Sequence, residues 1–198
     1  MQNNFENVIF ENARHLKVKE AVNLLQAVQS YASAETIELL DRIIGGNIQD
    51  VPVESILPTL KAFMGSEHSR PKIIQVLVKK LRENVDELTL NELCDVSLLM
   101  KQFGHSQEGM YELIEPYILN KINSLTEVDI MLAIRGFYNP HLSKRFKILD
   151  VLESILVNQA DRMDKENLRG LLEFYTEYRM GSRIVIETLK ATVEEGAA

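Results

Sequence analysis

Residues 88–100 read LTLNELCDVSLLM and residues 125–137 read LTEVDIMLAIRGF. Each segment opens on leucine and threonine, places an acidic residue three positions after the threonine, and then spaces its large apolar residues by three and four. A hydroxyl followed three residues on by a carboxyl is the pattern of a capping box, in which both side chains satisfy backbone N–H groups that a helix start leaves without partners. Apolar residues at that spacing fall on one side of a helix. The segments therefore predict two helices of one design, and the same column positions recur along most of the chain.

Val51, Leu88, Leu125 and Met163 share the first column, at steps of 37, 37 and 38 residues. The sixth column holds Ile56, Leu93, Ile130 and Leu168; the tenth holds Leu60, Ser97, Ile134 and Leu172; the thirteenth holds Phe63, Met100, Phe137 and Tyr175. A second helical stretch follows in each copy. It carries Ile73, Val76, Leu77 and Leu81, then Met110, Leu113, Ile114, Tyr117 and Ile118, then Ile148, Val151, Leu152, Ile155 and Leu156, then Val185, Leu189 and Val193. A less regular copy precedes these, with Ala21, Leu24, Leu25 and Val28 on its first helix and Ile37, Leu40, Ile43 and Ile44 on its second.

The helix ends are marked as well. Thr89 with Glu92 and Thr126 with Asp129 start first helices, and Asp164 starts the first helix of the last copy. Ser33, Ser69, Ser106, Ser143 and Ser182 stand where second helices are expected to begin, each able to cap one. Gly45-Gly46, Gly65, Gly104, Asn139-Pro140 and Gly181 punctuate the turns. The expected fold is all-α: a right-handed α-solenoid of about five antiparallel helix hairpins, with first helices on one surface and second helices on the other. Residues 1–15 form an N-terminal arm or capping helix, and residues 16–198 form one solenoid domain. Its copies cover approximately 16–50, 51–87, 88–124, 125–162 and 163–198. A hairpin of two short helices cannot bury its apolar faces alone, so each copy is expected to be stabilised by its neighbours.

The Leu-Thr-x-x-acidic-apolar motif at 88–93 and 125–130, followed by Met100 or Phe137 and a capped second helix, resembles the helical repeats of FAST-kinase-type, octotricopeptide and heptatricopeptide proteins over roughly residues 51–198. That resemblance implies an organellar, above all mitochondrial, protein whose repeats contact RNA or serve as subunits of a large assembly. The RAP domain that often follows such repeats is not expected here.

Composition narrows the function. With 22 Lys+Arg against 29 Asp+Glu, the net charge of −7 repels nucleic acid and anionic membranes on average. Single-strand binding relies on a positive groove and stacking aromatics, whereas this chain has no Trp and 7% aromatic residues, most of them in expected core columns. Its single cysteine, Cys94, cannot form an internal disulfide. No apolar run approaches the roughly 18–20 residues needed to span a bilayer. Phe5, Val8, Ile9 and Phe10 suggest an amphipathic first segment, but Glu6 and Glu11 precede the first basic residue, Arg14, unlike an ordinary transit peptide. The location expected is mitochondrial, otherwise cytoplasmic.

Catalytic, metal and cofactor sites are not expected. His68, His105 and His141 recur at the same turn of three copies, but helices pack about 8–10 Å apart, too far for one zinc ion with bonds near 2.1 Å. Cys94 with Asp95 and a distant His105 lacks the orienting group that a nucleophile requires, so it reads as a packing residue. Lys79, Lys80 and Arg82 end a helix, where its dipole favours cations. Lys144, Arg145 and Lys147 are expected in a first turn, where positive charge is unfavourable; with Lys101 and Arg135 they outline a basic patch for phosphate, RNA or an acidic protein surface. Ile184, Ile186 and Val193, spread around the last helix, are candidate partner contacts. The expected role is a non-enzymatic interaction or scaffold subunit of a larger assembly, such as a respiratory, ATP synthase or ribosomal complex. The alternative is an organellar RNA-binding protein in RNA processing or translation.

Overall fold

The computed structural model describes residues 2–28, 31–64, 71–101, 108–140 and 142–194, with side chains described outside 2–4, 64 and 71–72. Among the described residues the regular structure is entirely helical. The chain divides into two compact units, Met1–Glu87 and Leu88–Ala198.

In the first unit, α1 (Gln2–Asn12) and a short 3-10 turn, Ala13–His15, precede α2 (Val18–Val28), α3 (Ala34–Gly46), α4 (Val53–Met64) and α5 (Pro71–Glu83). α2 packs on both α3 and α4, α4 on α5, and α1 on α3. Ile9 is buried, and Glu6 accepts a hydrogen bond from the Ser33 backbone N–H at 2.8 Å. The first segment thus lies against α3. Ser33 also caps α3, its hydroxyl accepting from the Thr36 N–H. A 3-10 turn at Ile48–Asp50 leads into α4, and Lys80 of α5 donates to the carbonyls of Gln49 and Val51, both at 2.7 Å. The end-of-helix cation there locks the turn between α3 and α4.

The second unit contains α6 (Leu90–Lys101), α7 (Glu108–Asn120), α8 (Glu127–Phe137), α9 (Lys147–Gln159), α10 (Lys165–Glu177) and α11 (Arg183–Glu194). α6 packs on α7 and α8, α8 on α9 and α10, α9 on α7 and α11, and α10 on α11. Both capping boxes are present: Thr89 and Glu92 at α6 exchange hydrogen bonds reciprocally, as do Thr126 and Asp129 at α8. Asp164 caps α10 by accepting from the Glu166 and Asn167 N–H groups. Along the chain, 3-10 turns begin at Ile48, Val85, Ile122 and Ala160, the same 37, 37 and 38 steps as the apolar columns.

Ile56, Leu93, Ile130 and Leu168 are all buried, as are Phe63, Met100, Phe137 and Tyr175. Leu125, Met163 and Leu172 are half-buried. Leu93→Ala and Ile130→Ala are expected to cost about 2–5 kcal/mol each, the usual range for an apolar deletion in a filled core; urea denaturation giving losses below about 1 kcal/mol at both would contradict the burial.

The centre of the expected stripe on the second helices is buried, with Leu77 and Leu81, Met110, Ile114 and Ile118, Ile148, Leu152 and Leu156, and Val185 and Leu189 all inside. Its edges differ: Tyr117 and Val151 are exposed, whereas Ile74, Tyr111 and Leu149 are buried beside it. Tyr111 is drawn inward by a polar contact as well as by packing: its hydroxyl donates to the Ser97 carbonyl at 2.9 Å and accepts from Asn139 at 3.2 Å. Its ring meets Phe137 edge-on, and Phe137 meets Phe146, with centroids 5.3 and 5.5 Å apart. The expectation that Ser143 begins a second helix is corrected. α9 begins at Lys147 after an uncapped Phe146, and Ser143 lies in the preceding turn, donating to Glu108 at 2.5 Å. The reason is Asn139-Pro140: proline lacks an N–H and restricts the residue before it, lengthening this turn. Ser182 does lie at the start of α11, accepting from the Val185 N–H at 3.4 Å. Ser69, Ser106, Gly65 and Gly104 lie outside the described residues, as do His68, His105 and His141.

Two glycines are required by geometry. A Cβ on Gly136 would stand 2.5 Å from the Ser97 carbonyl carbon and 2.6 Å from the Leu98 nitrogen, so α8 crosses α6 at backbone contact. Gly181 has φ +91°, and a Cβ there would enter the Tyr175 ring at 2.7 Å. Just before it, α10 ends in a Schellman pattern, with Met180 N–H bonding the Tyr175 carbonyl and Arg179 in the left-handed region at φ 51°.

Candidate interaction surface

The turn from Tyr138 to Phe146, between α8 and α9, concentrates the basic candidates. Lys144 and Arg145 lie in this turn and not in a first helical turn as expected, because α9 starts only at Lys147. Three glutamates of α7 seat the turn: Glu108 accepts from Ser143, Glu112 from Lys144 at 2.6 Å, and Glu115 from the Ile148 N–H at 3.0 Å. Glu115 thus supplies the negative charge that the start of α9 favours. The Lys144 ammonium also lies 5.0 Å from the centre of the Phe146 ring. Its hydrogen bond to Glu112 raises its pKa.

Arg145 uses its guanidinium in three directions. Nε donates to Asp150 at 2.9 Å, Nη1 to the Tyr138 hydroxyl at 2.8 Å, and Nη2 to Glu153 at 3.1 Å. Glu153 is buried, and the Tyr138 hydroxyl donates to it. Burial, and then the bond to Glu153, push the Tyr138 phenol up to about 12. The buried carboxylate is therefore held by two donors, and the arginine is committed to the protein's own groups.

Lys101 is committed too. Its ammonium lies 4.9 Å and 4.5 Å from the ring centres of Phe174 and Tyr178 and donates to the Arg135 carbonyl at 3.3 Å. Burial, opposed by Glu177 and reinforced by Arg135, lowers its pKa. This cation–π clasp ties the end of α6 to the ends of α8 and α10. Arg135 is half-buried; its Nε lacks a hydrogen-bond partner among the described atoms, and Nη2 lies 3.2 Å from where a Cβ of Gly170 would sit. Lys147 is exposed at the first position of α9. The structure thus pairs Lys101 with Arg135 and Lys144 with Arg145, but three of these four cations already face carboxylates, carbonyls or aromatic rings. Sequence spacing reveals the charges, while their partners come from other helices and are invisible in it.

On α11, Val185 and Leu189 are buried, Ile186 and Val193 are half-buried, and Ile184 is 65% exposed. The outermost line is charged, with Arg183, Glu187, Lys190 and Glu194 all exposed and Arg183 paired to Glu187 at 2.6 Å. Ile184 sits at the edge of this line, beside a shallow groove lined by Val157, Ser154 and Asn158 of α9.

Cys94 is buried in α6. Burial, with Asp129 and Asp95 nearby, pushes its thiol up to about 12. Since the thiolate is the reactive form, iodoacetamide at pH 8 is expected to label the native protein on the order of a thousandfold more slowly than the urea-unfolded chain; comparable rates would show that this part of α6 is open. Asp129, by contrast, has a lowered pKa: burial alone would raise it, but hydrogen bonds from Thr126 and Asn91 outweigh that. The Asn91 bond, 2.8 Å long, joins the starts of α6 and α8, and Glu127 likewise accepts from Asn167 of α10 at 2.7 Å.

Among the described residues no group of three His, Cys, Asp or Glu side chains is placed to hold a metal ion. No helix of the described residues is long and apolar enough to cross a membrane. No protein-family model matches the sequence, and comparison with curated proteins finds no significant match.

Proposed function

We propose that the chain is a non-catalytic α-solenoid of five antiparallel helix hairpins that works as an interaction scaffold within a larger, mitochondrial protein assembly. The observation that carries this reading is the recurrence of the apolar columns together with the 3-10 turns before α4, α6, α8 and α10. A unit repeated in this way builds extended lateral surfaces, which suit binding of partner segments better than enclosing a substrate. The mitochondrial element comes from the repeat resemblance. Commitment of Lys101, Lys144 and Arg145 to internal partners favours protein over RNA as the bound species.

The test is binding of fluorescent single-stranded RNA at about 0.15 M salt, where screening leaves only real phosphate contacts, beside affinity purification of the tagged chain from mitochondria. Stoichiometric recovery in a defined protein complex, with no RNA affinity near micromolar, is the expected result. Micromolar or tighter RNA binding that Lys147→Glu, at an exposed position, abolishes would replace this reading with an RNA-binding one.

A further inference from the structure

The turn before α9 is fastened to α7 through carboxylates. The Ser143 hydroxyl donates to Glu108 at 2.5 Å, and the Lys144 ammonium donates to Glu112 at 2.6 Å. Both partners of the Lys144–Glu112 pair are exposed over about half of their side chains, and ion pairs in that setting contribute little. Ser143 is itself exposed, and residues 142–146 lie outside any helix. Its hydroxyl therefore faces water on an irregular segment that the cleft of another protein can take in.

The sequence around this hydroxyl is one-sided in charge. Lys144, Arg145 and Lys147 follow at the first, second and fourth positions, and residues 130–149 contain no Asp or Glu, although the chain has 29 of them. Other exposed serines are placed differently. Ser124 is followed by Glu127 and Asp129, Ser154 lies inside α9, and Ser33 and Ser182 cap helices by accepting backbone N–H groups. A phosphate on such a cap remains an acceptor at a positive helix end and keeps the same role.

On Ser143 a phosphate does the reverse. It carries about −1.5 to −2 charge at pH 7 and has only acceptor oxygens, so the bond to Glu108 is lost and repulsion between like charges takes its place. Arg145 is held by Asp150 and Glu153 of α9, which leaves Lys144 as the adjacent cation to be drawn from Glu112 toward the phosphate. Both ties to α7 weaken together.

We propose that Ser143 is a phosphorylation site for a protein kinase that reads basic residues after its acceptor, and that the phosphate releases the turn before α9 from α7. The Ser143 oxygen attacks the γ-phosphorus of a nucleoside triphosphate held by the kinase. The new O–P bond forms as the bond to the diphosphate leaving group breaks, and the hydroxyl proton passes to the kinase's catalytic aspartate. Whatever the chain binds, the contact between α7 and this turn is then set by a modifying enzyme.

The experiment uses the full chain. Native protein is incubated with ATP, Mg²⁺ and a purified serine kinase selective for basic residues after the acceptor, and the phosphate is mapped by mass spectrometry. Ser143 is expected to carry it, at a rate within about tenfold of that for a free peptide of residues 138–149. Phosphate on Ser182 or Ser124 with Ser143 left bare, or on Ser143 only after urea unfolding, would overturn the assignment. Amide hydrogen exchange over residues 142–148 is then compared among the unmodified chain, the chain phosphorylated at Ser143, and Ser143→Ala. Phosphorylation is expected to speed exchange there at least about tenfold, and Ser143→Ala, which loses the hydrogen bond without gaining charge, to change it much less. In the phosphorylated chain Glu108→Gln is expected to restore slow exchange, because an amide N–H donates to phosphate where a carboxylate repels it. Equal acceleration by phosphate and by alanine, fast exchange persisting with Glu108→Gln, or acceleration spread evenly over α6 and α8 would each show that the phosphate does not act by releasing this turn.

Discussion

Gly136→Val is expected to lower stability by about 3 kcal/mol, the upper part of the range for overpacking, because the new side chain meets the Ser97 hydroxyl and also the backbone of α6, which cannot turn aside. Rotamer changes cannot relieve a contact with the Ser97 carbonyl carbon and the Leu98 nitrogen; the helices themselves must separate. Separation would pull apart the aromatic group that Phe137 shares with Tyr111 and Phe146. Gly136→Ala carries the same collision at smaller size, although alanine alone would favour a helix by about 1 kcal/mol. A control is Gly46→Ala at the end of α3, where a Cβ meets nothing within 4 Å. Urea midpoints measure all three, and a raised midpoint for Gly136→Ala would show that α6 and α8 do not cross this closely.

The second large effect is expected at Arg145. Removing its side chain leaves the Glu153 carboxylate buried with Tyr138 as its remaining described donor, and breaking a buried ion pair from one side costs several kcal/mol. Arg145 is itself 43% exposed, so water can partly replace it, and the expected loss for Arg145→Ala is about 3 kcal/mol, the lower end of that range. Glu153→Leu in the same chain should recover most of that loss, because an apolar side chain needs no partner. The two changes form a double-mutant cycle with an expected coupling of about 2 kcal/mol, read from urea denaturation of the four proteins. Equal costs of Arg145→Ala with and without Glu153 would mean that the pair contributes nothing. Arg145→Lys should not substitute, since one ammonium cannot reach Asp150, Tyr138 and Glu153 from the directions that a planar guanidinium spans.

The helices themselves were legible because local signals agree with one another. The Thr89 and Thr126 boxes, the Asp164 cap and the columns through Ile56, Leu93, Ile130 and Leu168 all depend on spacing within one helix or one repeat period, and all are present in the fold. The second helices were less legible. The centre of their apolar stripe is buried as its spacing predicts, but spacing does not mark the edges, and only packing places Tyr111 and Leu149 inside and Tyr117 and Val151 outside. Ser143 imitates the start of α9 for a related reason: it has the chemistry of a cap, but Ser143 and Lys144 bond to Glu108 and Glu112, and the start of α9 at Ile148 bonds to Glu115, all on the preceding helix pair. The basic candidates were found by composition, yet their electrostatic state depends on those same distant carboxylates and rings.

The amino-acid order alone therefore determines that this protein is helical, where most of its helices start, and that its apolar columns return every 37 or 38 residues, since each of these follows from hydrogen-bond and side-chain geometry inside a short segment. Tertiary structure alone decides which cations are already neutralised, how closely α8 approaches α6, and which apolar residues of α8 remain in water. Those properties arise from atoms brought within a few ångströms by helices that lie dozens of residues apart, and no local spacing encodes that distance.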